Sequence, residues 1–130
     1  MATGVALDEG LARLALLAIG GGGTAFNNAS ARVLVGDDDT APTAADTGIV
    51  GTAVAHAQDA TFPTSPPVAN TLVFQATFAA GAITNAIKEV AIDNGAGTHE
   101  ALVRIVLEDS EQVTPGALEI PRVKVEIVLG

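Results

Sequence analysis

The sequence contains no cysteine, no tryptophan and no tyrosine, and only four phenylalanines among its 130 residues. The missing cysteine excludes disulfides, thiolate nucleophiles and zinc sites of the usual cysteine-rich kind. So few aromatic rings leave no stacking surface of the sort that binds single-stranded nucleic acids or sugars. We therefore expect a core of Ala, Val, Ile and Leu, and the length suits one compact domain.

Basic residues are scarce as well: six Lys and Arg stand against fifteen Asp and Glu, which gives a net charge of −9. Because such a chain repels a phosphate backbone and an anionic lipid surface, we expect neither nucleic acid nor membrane as a partner. The apolar stretch at residues 11–19 is stopped by four glycines, well short of the roughly 18 residues of a membrane helix. Asp8 and Glu9 precede it where an export signal would have basic residues, so we predict no export signal.

Residues 1–23 carry a helical pattern that the rest of the chain lacks. One helical face holds the apolar residues Leu7, Leu11, Leu14 and Ala18, with Leu17 beside it. The glycines at 20–23 have low helix propensity and readily adopt the left-handed conformation that ends a helix. They lack the lysine of a phosphate-binding loop and follow a helix rather than a strand, so a helix stop is the better interpretation. We predict one amphipathic helix near residues 6–19.

After the glycines, the pattern becomes that of short strands separated by turns. The clearest strand is predicted at residues 71–78, where Leu72, Phe74, Ala76 and Phe78 follow the period of two of a half-buried strand. Residues 86–92 and 100–107 flank the turn signal Asp-Asn-Gly at 93–95, which predicts a hairpin. Further strands are predicted at residues 31–35 and 49–55, and residues 61–70, with three prolines, are predicted as a loop.

The last apolar segment changes parity along its length. Leu118 and Ile120 fall on one face, while the residues with the other parity are Val123, Val125, Ile127 and Leu129. Either a bulge therefore lies at Pro121 or the strand begins after it. Several strands after one helix predict a mainly β fold. We expect an antiparallel β-sandwich at residues 24–130, preceded by the helix and its glycine stop at residues 1–23.

Motifs for catalysis or ligand binding are weak. Asp37, Asp38 and Asp39 lack the Gly and the bidentate Glu that a calcium loop needs at its sixth and twelfth positions. They suit a solvated turn, although the sequence leaves a bound cation there open. His56 and His99 have no metal-ligand spacing, and no serine has a nucleophile motif. We expect no enzyme activity, no catalytic residue, no cofactor and no metal site.

Several blocks resemble a family of virion structural proteins of tailed bacteriophages. The first is GGGTAFNNASARVLVGDDDTAPTAADTGIVG at residues 21–51, and the second is DATFPT at 59–64. TLVFQATF and NAIKEVAIDNGAG resemble a strand pair found in that family and in tail-fibre attachment domains, and ALEIPRVKVEIVLG resembles its closing strand. The resemblance implies a non-enzymatic virion protein that is made in the host cytoplasm, and it brings no catalytic residues.

The resemblance leaves the place in the particle open. A fibre needs a shaft and a tip, whereas 130 residues are used up by one helix and one sandwich. We therefore favour a capsid decoration (cement) protein that binds and stabilises the shell, with a tail-fibre, tail or baseplate adaptor as the alternative. The expected partners are other virion proteins, namely the major capsid protein or tail proteins.

The apolar helix face is the predicted partner contact. Its residues are Leu7, Leu11, Leu14, Leu17 and Ala18. Because this helix is too apolar to sit exposed and lies outside the sandwich in sequence, we expect a homo-oligomer, such as a trimer. The alternative is that the helix covers one end of its own sandwich, which explains the same pattern.

Overall fold

The computed structural model describes residues 2–64, 70–95, 97 and 99–129. One α-helix and seven β-strands lie in this part of the chain, which is mainly β. In chain order they are β1 (Thr3–Ala6), α1 (Asp8–Ala18), β2 (Arg32–Gly36), β3 (Val54–Ala57), β4 (Thr71–Thr77), β5 (Glu89–Asp93), β6 (Ala101–Val106) and β7 (Arg122–Val128). A short 3-10 turn, Asp109–Glu111, lies between β6 and β7.

The helix lies where the apolar pattern predicts it, and the glycines end it. Gly20 has a φ of 72°, the left-handed conformation that a side chain would make costly. Its amide N–H donates to Leu17 O at 3.2 Å, and that of Gly21 donates to Leu16 O at 2.7 Å. This pair of bonds satisfies the carbonyls of Leu16 and Leu17 in the last turn, so the predicted helix stop is confirmed.

All strand pairs are antiparallel and form two sheets. The larger has the order β1-β6-β5-β2-β3, and the smaller pairs β4 with β7. The predicted hairpin is confirmed as β5 and β6, with a register shift between Ile92 and Asp93. β1 was not predicted, because its four residues precede the helix and show no alternation; it pairs with β6, with Ala6 opposite Val103.

The position of β3 differs from the sequence prediction, and the start of β7 settles an alternative that the sequence left open. The strand predicted at residues 49–55 is instead β3, Val54–Ala57, because pairing with β2 selects these residues and the preceding ones form turns. The last strand begins after Pro121, and Leu118 and Ile120 lie exposed before it. In the predicted loop at 61–70, residues 65–69 lie outside the described part, and residues 61–64 contain no strand.

One hydrophobic cluster joins the two sheets. Val33 and Ile92 contribute from the larger sheet, and Phe74 and Val125 contribute from the smaller one. Leu14 and Leu17 of α1 pack against the same cluster, so the helix lies against the core of its own chain. The smaller sheet has two strands against five in the larger one.

Candidate interaction surface

The most deeply buried charges form a network around Arg104. Its Nε donates to Glu89 Oε1 at 2.9 Å, and its Nη1 donates to Asp46 Oδ2 at 3.1 Å. Glu89 also accepts the backbone N–H groups of Asp38, Val50 and Gly51 at 2.8 to 2.9 Å. The network holds the loop after β2 and the segment before β3 against the larger sheet, so these charges have a structural role.

The acidic turn after β2 is less exposed than predicted. Asp38 Oδ1 lies 3.4 Å from Arg104 Nη2. The Asp37 carboxylate accepts hydrogen bonds from Thr52 N at 2.7 Å and from Asn85 Nδ2 at 2.9 Å. Both aspartates are half-buried, because long-range partners draw them inward. Over the described ranges, no three His, Asp or Glu side chains are grouped so that they could hold a metal ion.

The remaining arginine pairs are also internal. Arg13 on α1 donates to both carboxylate oxygens of Glu100 at 2.9 and 3.0 Å, and Arg32 pairs with Asp93 at 2.7 Å. The hydrogen bonds from Arg13 hold the pKa of Glu100 below its usual value. These pairs tie the helix and strand ends together.

The two histidines lie in separate, exposed places. His56 on β3 tilts against Phe78 with ring centroids 5.6 Å apart, and its Nδ1 lies 2.9 Å from Ala57 O. His99 lies before β6 with a φ of 54°. Their positions do not bring them together at one site.

β7 alternates between an apolar inner face and a charged outer face. Val125 is buried, and Val123 and Ile127 pack against the core. On the outer face, the side chains of Lys124 and Glu126 are 52% and 58% exposed, and Lys124 Nζ lies 3.4 Å from Glu126 Oε1. The alternation was visible in the sequence, but the sequence does not show which edge of the strand is paired.

Only one edge of β7 is paired. At its two ends, Pro121 O accepts from Phe78 N and Leu129 N donates to Asn70 O, each at 2.8 Å. In an antiparallel ladder, alternate residues direct both backbone groups to the same neighbour, so the odd-numbered residues face β4. The backbone groups of the even-numbered residues, Arg122 to Val128, face away. Among the described residues, no backbone hydrogen bond from another strand reaches this edge.

The outer edge of β4 is covered, in contrast. Asp59 N donates to Gln75 O at 2.8 Å, and Thr64 N donates to Val73 O at 3.2 Å. The Asp59 carboxylate also accepts from Thr77 N at 2.9 Å. The chain after β3 therefore closes one edge of the small sheet and leaves the β7 edge as its free one.

An apolar groove runs beside the free edge of β7. Its larger part, about 600 Å³, has Val90, Ile105 and Leu107 on one side and Ile120, Val123 and Val125 on another. Its smaller part, about 440 Å³, continues between α1 and the end of β7, and Ile105 lines both parts. We call the two parts together the β7 groove. An unpaired edge beside an apolar groove is typical of a surface that binds another polypeptide.

The predicted contact residues of the helix fall into two groups. Leu7 is fully buried, and Leu14 and Leu17 pack against the core of the same chain. Leu11 is 45% exposed and lines the smaller part of the β7 groove, and Ala18 is exposed. Contact of these residues with a partner stays a prediction. The exposed residues Leu11 and Ala18 are the ones available to make it.

No protein family, curated protein or solved structure matches this chain. Within the described residues, no helix is long and apolar enough to cross a membrane. The β7 groove is thus the feature from which a function can be argued.

Proposed function

We propose that this chain is a non-enzymatic structural component of a tailed-phage virion, and that it acts as a capsid decoration protein. The observation that carries the proposal is the β7 groove, where about 600 Å³ of apolar space adjoins an unpaired strand edge. An apolar groove beside an unpaired strand edge is typical of a surface that contacts another protein. The sequence blocks that resemble phage virion proteins supply the class of partner, namely the shell protein.

The use of the charged groups supports a structural role. Arg104, Arg32 and Arg13 each pair with carboxylates of their own chain. Groups held in this way fix loops and strand ends. The proposal therefore includes no catalytic residue and no cofactor.

A tail-fibre, tail or baseplate adaptor is the second candidate. The observation that favours it is the resemblance of the β4 sequence and of the β5 region to tail-fibre attachment domains. A homo-oligomer such as a trimer, located in the virion, belongs to both candidates. Leu11 and Leu16 of α1 and Ile19 just after it are exposed and offer a second apolar contact for it.

We also propose that the two sheets form an open β-sandwich. The shared hydrophobic cluster supports this arrangement, because residues of both sheets contribute to it. A two-stranded sheet facing five strands would leave part of the larger sheet uncovered, which accounts for the β7 groove.

The experiment is to locate and count the protein in virions of the phage or prophage whose genome carries its gene. Quantitative mass spectrometry would give the copy number relative to the shell protein, and cryo-electron microscopy would give the position. A copy number comparable to that of the shell protein, with density on the shell, is the expected result. A small copy number at the tail would favour the adaptor, and absence from purified virions would overturn both candidates.

A further inference from the structure

We propose that the β7 groove binds an extended segment of a partner polypeptide, which pairs with β7 as an added antiparallel strand. The segment would carry acidic side chains opposite Arg122 and Lys124, and apolar side chains at alternate positions. This inference deepens the proposed function and rests on it for the source of the segment. The chemistry of the segment follows from the chain alone.

The backbone of β7 provides the first argument. The four residues Arg122, Lys124, Glu126 and Val128 direct N–H and C=O groups away from β4. An added antiparallel strand would satisfy these groups with pairs of hydrogen bonds, as a strand does when it joins a sheet edge. The opposite edge of the small sheet is already covered by residues 58–64, so β7 is the edge that remains.

The groove decides which side chains the added strand carries on its inner face. Residues opposite each other in a ladder point to the same side of the sheet. Partners of Val123, Val125 and Ile127 would therefore point into the groove, over Ile105 and Leu107. Apolar side chains suit these positions, because the residues that face them across the groove, such as Ile105 and Leu107, are apolar.

The charges on the outer face of β7 determine which side chains suit the outer face of the added strand. The chain has a net charge of −9 and six basic residues, and Arg13, Arg32 and Arg104 are paired internally. Arg122 and Lys124 lie at the groove rim, which Glu119 also lines, and Arg122 interacts electrostatically with Asp59. The pair of Lys124 with Glu126 is exposed to solvent and weak. This edge is therefore cationic at two successive outer positions, in an otherwise acidic molecule.

The charges define a pattern for the occupant. Opposite charges directly across a ladder stabilise it, and like charges destabilise it. Acidic residues should then lie opposite Arg122 and Lys124, and a basic residue should lie opposite Glu126. Because the added strand runs antiparallel, its pattern from the N-terminus is apolar, basic, apolar, acidic, apolar, acidic.

A whole second copy fits this edge less well than a segment. Residues 123–127 of β7, Val-Lys-Val-Glu-Ile, carry the first five positions of this pattern themselves, so a second copy is excluded by its bulk and not by its charges. If two β7 strands paired about a two-fold axis, both five-stranded sheets would lie on the same side of the joined sheet. Because Ile105 of β6 and the adjoining Leu107 line the groove beside β7, we expect the larger sheet to extend past the free edge of β7. The two larger sheets would overlap there, whereas an extended arm has no body that could collide.

The test uses two synthetic peptides, Val-Lys-Val-Glu-Val-Glu and its charge-reversed form Val-Glu-Val-Lys-Val-Lys, titrated onto the full chain by calorimetry. The first should bind at least about tenfold more tightly than the second, because three attractive cross-strand pairs, opposite Arg122, Lys124 and Glu126, replace three repulsive ones. The double variant Arg122→Glu with Lys124→Glu should reverse that preference. A reversal also shows that the variant is folded, which a simple loss of binding would not.

Amide exchange measured by NMR gives a second readout. Bound peptide should slow the exchange of the amides of Lys124 and Glu126, whose N–H groups face the groove. The amides of Val123 and Val125 face β4 and should be protected in both states. This alternation distinguishes an added strand from a peptide that binds elsewhere.

Four results would overturn the inference: no binding of either peptide, equal affinity for both, no alternation in exchange, or dimerisation of the chain alone through β7. The last would assign the edge to a second copy. Peptide binding by a protein that is absent from virions would leave the groove intact and remove the virion role. Presence in virions without peptide binding would leave the virion role intact and overturn the inference that the β7 groove binds an added strand.

Discussion

Arg104 on β6 lies opposite Ala91, and its guanidinium reaches Glu89 two residues along β5. Both side chains are 0% exposed. The charge of each is compensated by the other and by the surrounding amides and carboxylates, so the pair is stable only while all of them are in place. Neither residue was singled out from the sequence, because a diagonal contact across two strands leaves no local pattern.

Glu89→Gln should lower the free energy of unfolding by about 3 kcal/mol or more, because it leaves the buried Arg104 without its closest opposite charge. Urea denaturation followed by circular dichroism measures the loss. Glu126→Gln is the matched control, since its ion pair is exposed and should cost less than about 1 kcal/mol. Equal losses in the two variants would contradict a structural role for the buried pair.

The pair of Arg13 and Glu100 predicts an acid dependence of stability. Hydrogen bonds from Arg13 and Asn94 lower the pKa of Glu100 in the folded chain. A carboxylate with a lowered folded pKa contributes stability above its unfolded pKa of about 4.3, and loses it as the pH falls through the folded value. The free energy of unfolding should therefore fall on acidification below about pH 4. Arg13→Met should make that fall shallower, and an unchanged slope would contradict the assignment.

At the scale of elements, α1 approaches β6 through a glycine. A Cβ built on Gly10 would overlap Ala101 O and Leu102 Cα. Gly10→Ala should therefore destabilise the fold by about 2 kcal/mol, although the same change in an ordinary helix interior stabilises by about 1 kcal/mol. Ala15→Gly on the exposed side of α1 is the control and should cost about 1 kcal/mol. Stabilisation by Gly10→Ala, read from the urea midpoint, would show that the helix lies farther from β6.

Two aspartate variants test which residues on the apolar face of α1 pack against the core of the same chain. Leu14→Asp places a charge against the core and should cost at least about 3 kcal/mol, which broadens or removes the thermal transition. Leu11→Asp lies at a 45% exposed position and should keep the transition. If Leu11→Asp also unfolds the chain, its side chain belongs to the core. If Leu14→Asp melts like the wild type, the helix does not pack on its own sheets.

Local signals explain which elements could be predicted. Helix α1, its glycine stop, β4 and the β5–β6 hairpin follow from periodicity and turn residues that lie next to one another in sequence. β1 and the exact position of β3 depend on pairing with distant strands, so no local pattern marks them. The β7 groove was missed for the same reason. The sequence shows the alternation of β7, but its free edge follows only from the sheet order.

At the scale of the whole molecule, the two sheets differ in their number of strands, and the smaller one depends on the larger for its stability. Five strands in one sheet and two in the other share a single hydrophobic cluster. The small sheet gains little stability from its own pairing, because an isolated pair of strands is marginal in water. Its stability must come from the larger sheet, so the two should unfold together.

Phe74→Ala tests this coupling, because Phe74 is a fully buried residue of the small sheet that belongs to the shared cluster. The variant should lose about 3 to 5 kcal/mol and still melt in one calorimetric transition, shifted to lower temperature. Leu118→Ala, at a 93% exposed side chain, is the control and should change stability by less than about 0.5 kcal/mol. A second transition, with β4 and β7 melting first while amides of β5 stay protected from exchange, would show that the small sheet is an independent unit. In that case the β7 groove would open with it, and an added strand would stabilise the lower transition alone.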